Sequence, residues 1–506
     1  MNSPTSDRSF FGHPRGLSTL FFTEMWERFS YYGMRALLIL FMTAPIAAGG
    51  LAMNAADAGA IYGTYTAMVY LLTIAGGFVA DRLLGLRRTV FWGGVLIMCG
   101  HISLALPSKG SFFFGLVLVV LGTGLLKGNI SALVGHLYAT DDDRRDAGFS
   151  LYYMGVNLGG MLGPLFTGWF AQQPSFKRML EGWGMAPELA WHFGFGAAAV
   201  GMFFGLVQYH FGRRHLPAAG DRPLGIRTPE DASEARASFA KWIGLGALVI
   251  AILAGLSMAG TLDITPSRIG LTVDILLFVV VVGFFTWLFS SGQWTPEERR
   301  RLLVILVLFL GATAFWAVFE QAGSTLNLFA DRSTSNSLFG INFPSSWFQS
   351  VNSLFIVLFS PVFALLWLRM GKRNPSSPAK FSIGLFLQAM GFALMILAGL
   401  AAAGGAKVSP MYLIVFYLFA TFGELCLSPV GLSAMTRLAP ERVGGLMMGV
   451  WFLASSVGNK IAGRMGGLYE SMSLTTIFAI NTVVPLLFAL VLAGLVGPIR
   501  RMLAAR

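Results

Sequence analysis

EMWERFSYYGMR, residues 24–35, interrupts what would otherwise be one apolar helix, with TLFFT before it and ALLILFM after it. The flanks read as a membrane-spanning segment, yet the middle carries Glu24, Glu27, Arg28 and Arg35. Near a bilayer centre each such charge costs roughly 2.5–3.5 kcal/mol on insertion scales, so four remove about 10 kcal/mol from insertion. A helix that bears them must turn them toward protein or water. On a helix Glu24, Arg28, Tyr31 and Arg35 fall on one stripe, stepping by four, three and four residues, with Glu27 at its edge. A Glu24–Arg28 ion pair that merely makes the helix insertable explains part of this pattern, but not the charges on other spans.

Outward from that helix, the whole chain reads as a membrane protein. Its 506 residues are 55% hydrophobic and 12% charged, far too apolar for a soluble domain of this size. Apolar stretches of about 20 residues, each long enough to cross a hydrocarbon core as a helix, recur from Leu17 to Val496. Fourteen are counted. Alternating-period strands are absent, which argues against a barrel. The net charge of +12 could suggest nucleic acid, but the basic residues follow the membrane instead. With the N-terminus cytoplasmic, 25 of the 36 Lys and Arg fall in inside segments, six outside (Lys109, Lys177, Arg178, Arg268, Arg332, Lys407) and five within helices. That bias predicts cytoplasmic N- and C-termini and a bacterial inner-membrane location, with no nucleic-acid partner. Cys99 and Cys426 lie far apart in predicted spans and receive no role. Residues 1–16 lack a signal-peptide pattern, so the first span is expected to be retained.

The layout is six spans, a basic linker (RRHLPAAGDRPLGIRTPEDASEARAS, 213–238), two spans, and six more. This predicts an N-terminal bundle over 1–212, a linker and two inserted spans over 213–296 (the spans near 241–260 and 271–292), and a C-terminal bundle over 297–506. The inserted pair reads as almost free of interior polar residues. Two equivalent halves suggest a transporter whose substrate site lies between them.

Charged and amide residues sit deep in apolar helices of both halves: Lys127 (GTGLLKGNIS), Glu320 (FWAVFEQAGS), Glu424 (FGELCLSPVG), Asn157 and Asn352. Charges facing lipid would be too costly, so a polar cavity between the halves is implied. Several other patterns mislead. GTGLLKG lacks the G-x-G-x-x-G spacing and a preceding strand, so it is not a nucleotide loop. Gly155, Gly159 and Gly163 repeat every four residues and point to close helix packing. The scattered histidines form no metal site. Lys460 and Arg464, one turn apart, read as snorkelling side chains. In GGFVADRLLGLRRT (76–89), Asp81 and Arg82 with nearby Arg87 and Arg88 suit a cytoplasmic loop that clasps neighbouring helix ends and changes partners during movement.

EMWERFSYYG also resembles the ExxERFxYYG motif of the proton-dependent oligopeptide transporter family, within the major facilitator superfamily. The resemblance continues through GGFVADRLLGLRRT, KGNISALVGHLY, RRDAGFSLYYMGVNLGG, FWAVFEQAGS, WFQSVNSLF and GELCLSPVGLS, and so covers both halves in order. It implies an all-α major facilitator fold with two six-helix bundles and the two inserted helices of bacterial members. By the same resemblance, Glu24, Glu27 and Arg28 would couple protons. Arg28 and Lys127 would hold a peptide carboxylate, while Glu424 with Asn157 and Asn352 would hold its amino terminus. Tyr31, Tyr70, Trp316, Trp451 and Ser455 match pocket-lining positions, and Arg35–Glu320 and Lys127–Glu424 match pairs bridging the halves. The second span, YGTYTAMVYLL, lacks the His of animal members, so coupling would rest on carboxylates.

The chemistry of a dipeptide agrees with this resemblance. A zwitterion with its charges several ångströms apart needs one cationic and one anionic wall, and charge-assisted hydrogen bonds replace its water contacts. Recognition of groups that every dipeptide shares, beside an aromatic pocket, predicts breadth of substrate. The expected function is a proton-coupled symporter of di- and tripeptides acting as a monomer in the bilayer, with no cofactor beyond the proton gradient. The alternative is the same fold carrying an amino acid, nitrate or a drug. An intramembrane enzyme would need a nucleophile with its base, or a metal constellation, and neither is legible.

Overall fold

A computed structural model of the chain describes residues 7–139, 142–223, 225–226, 228–292 and 294–504. Its helices are α1 (Arg15–Thr43), α2 (Ala55–Val79), α3 (Leu86–Leu104), α4 (Lys109–Gly135), α5 (Arg145–Gln172), the short α6 (Pro174–Gly182), α7 (Ala190–Gly212), α8 (Pro229–Met258) and α9 (Pro266–Ser290). They continue as α10 (Pro296–Phe319), α11 (Thr325–Arg332), α12 (Phe348–Met370), α13 (Ser377–Ala401), α14 (Met411–Leu438), α15 (Met447–Gly467) and α16 (Leu474–Ala504). Among the described residues, ten segments are long and apolar enough to cross a membrane. Four further long helices, α1, α3, α5 and α15, carry the charged or polar residues that lower their hydropathy. α10 and α11 form one span, broken at a tight turn over Glu320–Gly323. With α1, α3, α5 and α15 counted, fourteen spans result among the described residues, as the sequence predicts.

Helices α1–α5 and α7 pack on one another as a first bundle, and α10 with α12–α16 as a second. The glycines expected to permit close packing do so. A Cβ on Gly159 would lie 2.1 Å from the carbonyl oxygen of Met25, and one on Gly163 2.3 Å from that of Phe29, so α5 lies directly on α1. The bundles meet along two seams, α2 against α15 and α5 against α12. In the first, backbone touches backbone: a Cβ on Gly463 would fall 2.3 Å from Cα of Gly63.

Three expectations change. The linker is shorter than its composition suggests, because α8 begins at Pro229. Thr228 caps that helix and Asp231 completes the box, with Asp231 N–H donating to Thr228 Oγ1 at 3.1 Å. The inserted pair is not free of interior charge, since Asp274 on α9 bonds Arg464 of α15. Lys460 and Arg464 therefore do not snorkel. They are held by Asp274, at 3.7 Å from Lys460 and in direct contact with Arg464. A small ribbon, β1 (Ser337–Leu338) with β2 (Ile341–Asn342), also forms. Its turn residues Phe339 and Gly340 both have positive φ (50° and 79°), the geometry of a tight two-residue hairpin.

Candidate functional site between the bundles

α1 brings its stripe to the seam as its spacing predicts. Glu24, Glu27, Arg28, Tyr31 and Arg35 are all buried in protein, whereas Trp26 lines an apolar groove of about 860 Å³ between α1, α5 and α7. Arg28 Nε lies 3.2 Å from Glu24 Oε1, and the same guanidinium contacts Glu27 directly. One cation thus serves two carboxylates. Its charge also faces aromatic rings, with Cζ 5.0 Å from the Tyr31 centroid and 5.9 Å from that of Tyr32. Arg28 Nη2, Glu24 Oε2 and Glu27 Oε1 are buried and have no hydrogen-bond partner, an open capacity at the centre of the molecule.

Two turns further along α1, Arg35 Nη1 lies 2.9 Å from Glu320 Oε2 at the break after α10. This is the expected bridge between the halves. Asn327 on α11 reinforces it, donating to the carbonyl oxygen of Ala36 at 2.8 Å. The glycine in this break is required by space, because a Cβ on Gly323 would fall 1.9 Å from the Tyr62 hydroxyl.

The other expected bridge is not formed. Lys127 Nζ sits 3.6 Å from the Tyr70 ring centroid, within its own bundle. Glu424 is bonded within the other bundle, where Asn352 Nδ2 donates to it at 3.1 Å and to Thr421 Oγ1 at 3.0 Å. Each charge has a local partner, so the two need not meet. Asn157 donates to the Tyr153 carbonyl oxygen at 3.0 Å on its own helix. Trp316 and Trp451 meet edge to face at 6.3 Å, and Ser455 donates to the Trp451 carbonyl oxygen at 3.3 Å. Tyr32, Thr421 and Asn327 are not singled out by the sequence reading. Tyr32 was legible as the second Tyr of YYG, whereas the other two take part only through helices distant in sequence.

The seal between the bundles is concentrated at the end carrying residues 44–54, 173–189 and 333–344. There Gln172 Nε2 donates to Ser345 Oγ at 2.9 Å, and Trp347 Nε1 donates to the Leu165 carbonyl oxygen at 3.0 Å. Glu470 accepts from Ala55 N–H at 2.9 Å while pairing with Arg332 at 2.9 Å. These contacts hold the Glu470 carboxyl below its ordinary value, the bond from Ala55 first among the causes.

At the opposite end the α2–α3 loop departs from expectation. Asp81 does not meet Arg87 or Arg88. Arg87 pairs with Asp221 of the linker at 2.6 Å and donates to the Arg213 carbonyl oxygen at 2.7 Å. The Asp81 carbonyl oxygen accepts from Gly225 N–H at 2.8 Å, and Asp81, Arg82 and Arg88 leave their side chains exposed. The cause is a widened helical turn over Ala80–Leu84, followed by Gly85 at φ 80°, which aims the chain at the linker. The loop clasps the linker instead of a helix end.

Comparison with known proteins fits this architecture. The model of the POT family matches residues 87–484. The chain is 40% identical to the peptide transporter YePEPT of Yersinia enterocolitica subsp. palearctica serotype O:3, over 99% of this chain and 97% of that one. Among solved structures, a peptide transporter POT in complex with sulfate superposes with a TM-score of 0.89 at 41% identity, covering 98% of this chain and 96% of that one. A POT family transporter in complex with 5-aminolevulinic acid gives 0.88 at 36% identity, covering 97% and 98%. A first bundle and a second bundle of six spans, charges turned to the seam between them, and near full-length identity of this order together make the chain a multi-pass membrane transporter of the POT family.

Proposed function

We propose that the chain imports di- and tripeptides together with protons, rocking residues 1–212 against 297–506 around a fixed central site. The observation that carries this reading is the pair of walls at the seam. Arg28 and Lys127 stand on one bundle and Glu424 on the other, and Arg28 keeps an unpartnered buried Nη2. A peptide carboxylate suits the first wall and an ammonium the second, with Asn157 and Asn352 beside them to serve the backbone through their amide oxygens. Tyr31, Tyr70, Trp316, Trp451 and Ser455 would receive side chains without demanding one shape.

The charge distribution supports cytoplasmic termini, so the sealed end faces outward and the site opens to the cytoplasm of a bacterial cell. Each monomer in its bilayer would work alone. No prosthetic group enters the scheme, because the proton gradient is the driver. Arg28 pairs with both Glu24 and Glu27 while the site is empty. When a peptide carboxylate takes part of that guanidinium, one of the two carboxylates is left uncompensated in a buried place and accepts a proton from outside. Departure of the peptide inward returns Arg28 to both carboxylates and releases the proton on the same side. Parting of Arg35 and Glu320 accompanies opening of the outer end.

A Glu27→Gln chain should still exchange peptide across a membrane while failing to accumulate it. Unchanged gradient-driven accumulation would refute the coupling role. One proton entering down about 100 mV supplies roughly 2.3 kcal/mol, enough for about fiftyfold accumulation of a neutral peptide. A second reading, a smaller zwitterion as substrate, is favoured by the relative bound to 5-aminolevulinic acid. Competition decides between them: dialanine should displace labelled dialanine far better than 5-aminolevulinic acid does.

A further inference from the structure

The inserted helix α9 packs on both bundles, chiefly on α2 of the first and also on α10 and α15 of the second. Val273, Leu277, Phe285 and Leu288 join an apolar core that the second bundle shares with Ala67 of α2, and the Phe285 ring meets that of Phe309 at 5.0 Å. Toward the sealed end the contact of α9 with α2 is close and partly polar. Ser267 Oγ donates to Asp57 Oδ1 at 3.2 Å, and a Cβ on Gly270 would lie 3.3 Å from Ala60 Cβ and 3.4 Å from Lys460 Nζ.

Where the three helices converge stands Asp274, an acid on an otherwise apolar span. Its Oδ2 accepts from Arg464 Nε at 3.0 Å, and its Oδ1 lies 3.7 Å from Lys460 Nζ. Lys460 is buried and also donates to Thr64 Oγ1 on α2 at 2.8 Å. The cluster therefore ties α9 to α15 and, through Lys460, both of them to α2. The described residues of the apolar span of α8 are mostly exposed.

We propose that α9 is a strap for the state closed at the outer end, with Asp274 as the anchor that holds it on α15 while Ser267, Gly270 and Lys460 engage α2. Opening the outer end separates α2 from α15. An α9 joined to both helices then loses its contacts with one of them, so the full set favours the closed state alone and shifts the equilibrium toward it. The strap acts on which state is populated, not on what is bound. Its test is consequently independent of substrate and of the coupling scheme.

The experiment uses the full chain in proteoliposomes, with Cys99 and Cys426 replaced by Ser. Spin labels at Ala47 and Ser471, both exposed at the outer end, report the distance between bundles. Two variants separate anchor from footprint. Asp274→Asn removes the charge, and Gly270→Leu wedges α9 away from Ala60 of α2 while leaving Asp274 and Arg464 in place. Each should raise the ratio of long-distance to short-distance populations by about three- to tenfold over the parent. An unchanged distribution in either folded variant, or a shift toward the short distance, overturns the proposal.

Discussion

Arg28 is the residue on which the site turns, because its guanidinium spans two carboxylates and still leaves Nη2 for a third. Lysine has the charge but not the fork. Arg28→Lys should therefore retain the fold and lose at least about tenfold in peptide uptake, measured at equal amounts of reconstituted protein. Glu470 works differently, at the sealed end, where it accepts from Ala55 N–H at the start of α2 and pairs with Arg332. Its carboxyl is held below its ordinary value of 4.5, so the folded state prefers the charged form. The associated stability is present above that value and is lost as pH falls through the lower folded value. Tm of the parent should exceed that of Glu470→Gln at pH 7, and the gap should close in acid below about pH 4. A gap that persists or widens there would contradict the assignment.

At the scale of elements, the α2–α15 seam depends on small residues from each helix. A methyl on Gly463 would meet Cα of Gly63, backbone that cannot turn aside. Gly463→Ala should force these helices apart and slow transport several-fold while leaving expression intact. Accessibility of a cysteine placed at Thr64 to an external membrane-impermeant thiol reagent would report the separation. Element identity was largely legible in the sequence, since apolar length reveals a span and a charged stripe reveals its inward face. α1, α3, α5 and α15 are less apolar for the same reason that several of them matter, namely the polar residues they carry toward protein. What stayed hidden was partnership. Asp274 looked unremarkable in a dull helix because Lys460 and Arg464, its partners, lie about 190 residues away. Asp221 was likewise invisible as the partner of Arg87, where the nearer Asp81 invited a local pairing. The start of α8 was readable after all, in the Thr228–Pro229–Asp231 cap, but the basic composition around it obscured the signal.

For the whole molecule, the two bundles are joined firmly at one end through Gln172–Ser345, Trp347–Leu165, Arg35–Glu320 and Glu470–Ala55. Lys127 and Glu424, which the resemblance pairs across the halves, are each engaged within their own bundle. The bonds between the bundles close the end that faces outward under the proposed orientation. Cysteines at Gln172 and Ser346, joined by a short bifunctional reagent, should abolish uptake and recover it on cleavage of the link. Cross-linked protein that transports at the parent rate would show that this end need not open.

The central claim is that a proton gradient drives peptide through this seam. The most direct measurement is uptake of labelled dialanine into proteoliposomes under an inward proton gradient, an inside-negative potential, both, or neither. Accumulation above equilibrium only when a driving force is present, and suppressed by varied unlabelled dipeptides, is the predicted result. Binding or downhill exchange with no accumulation under any driving force would contradict the account.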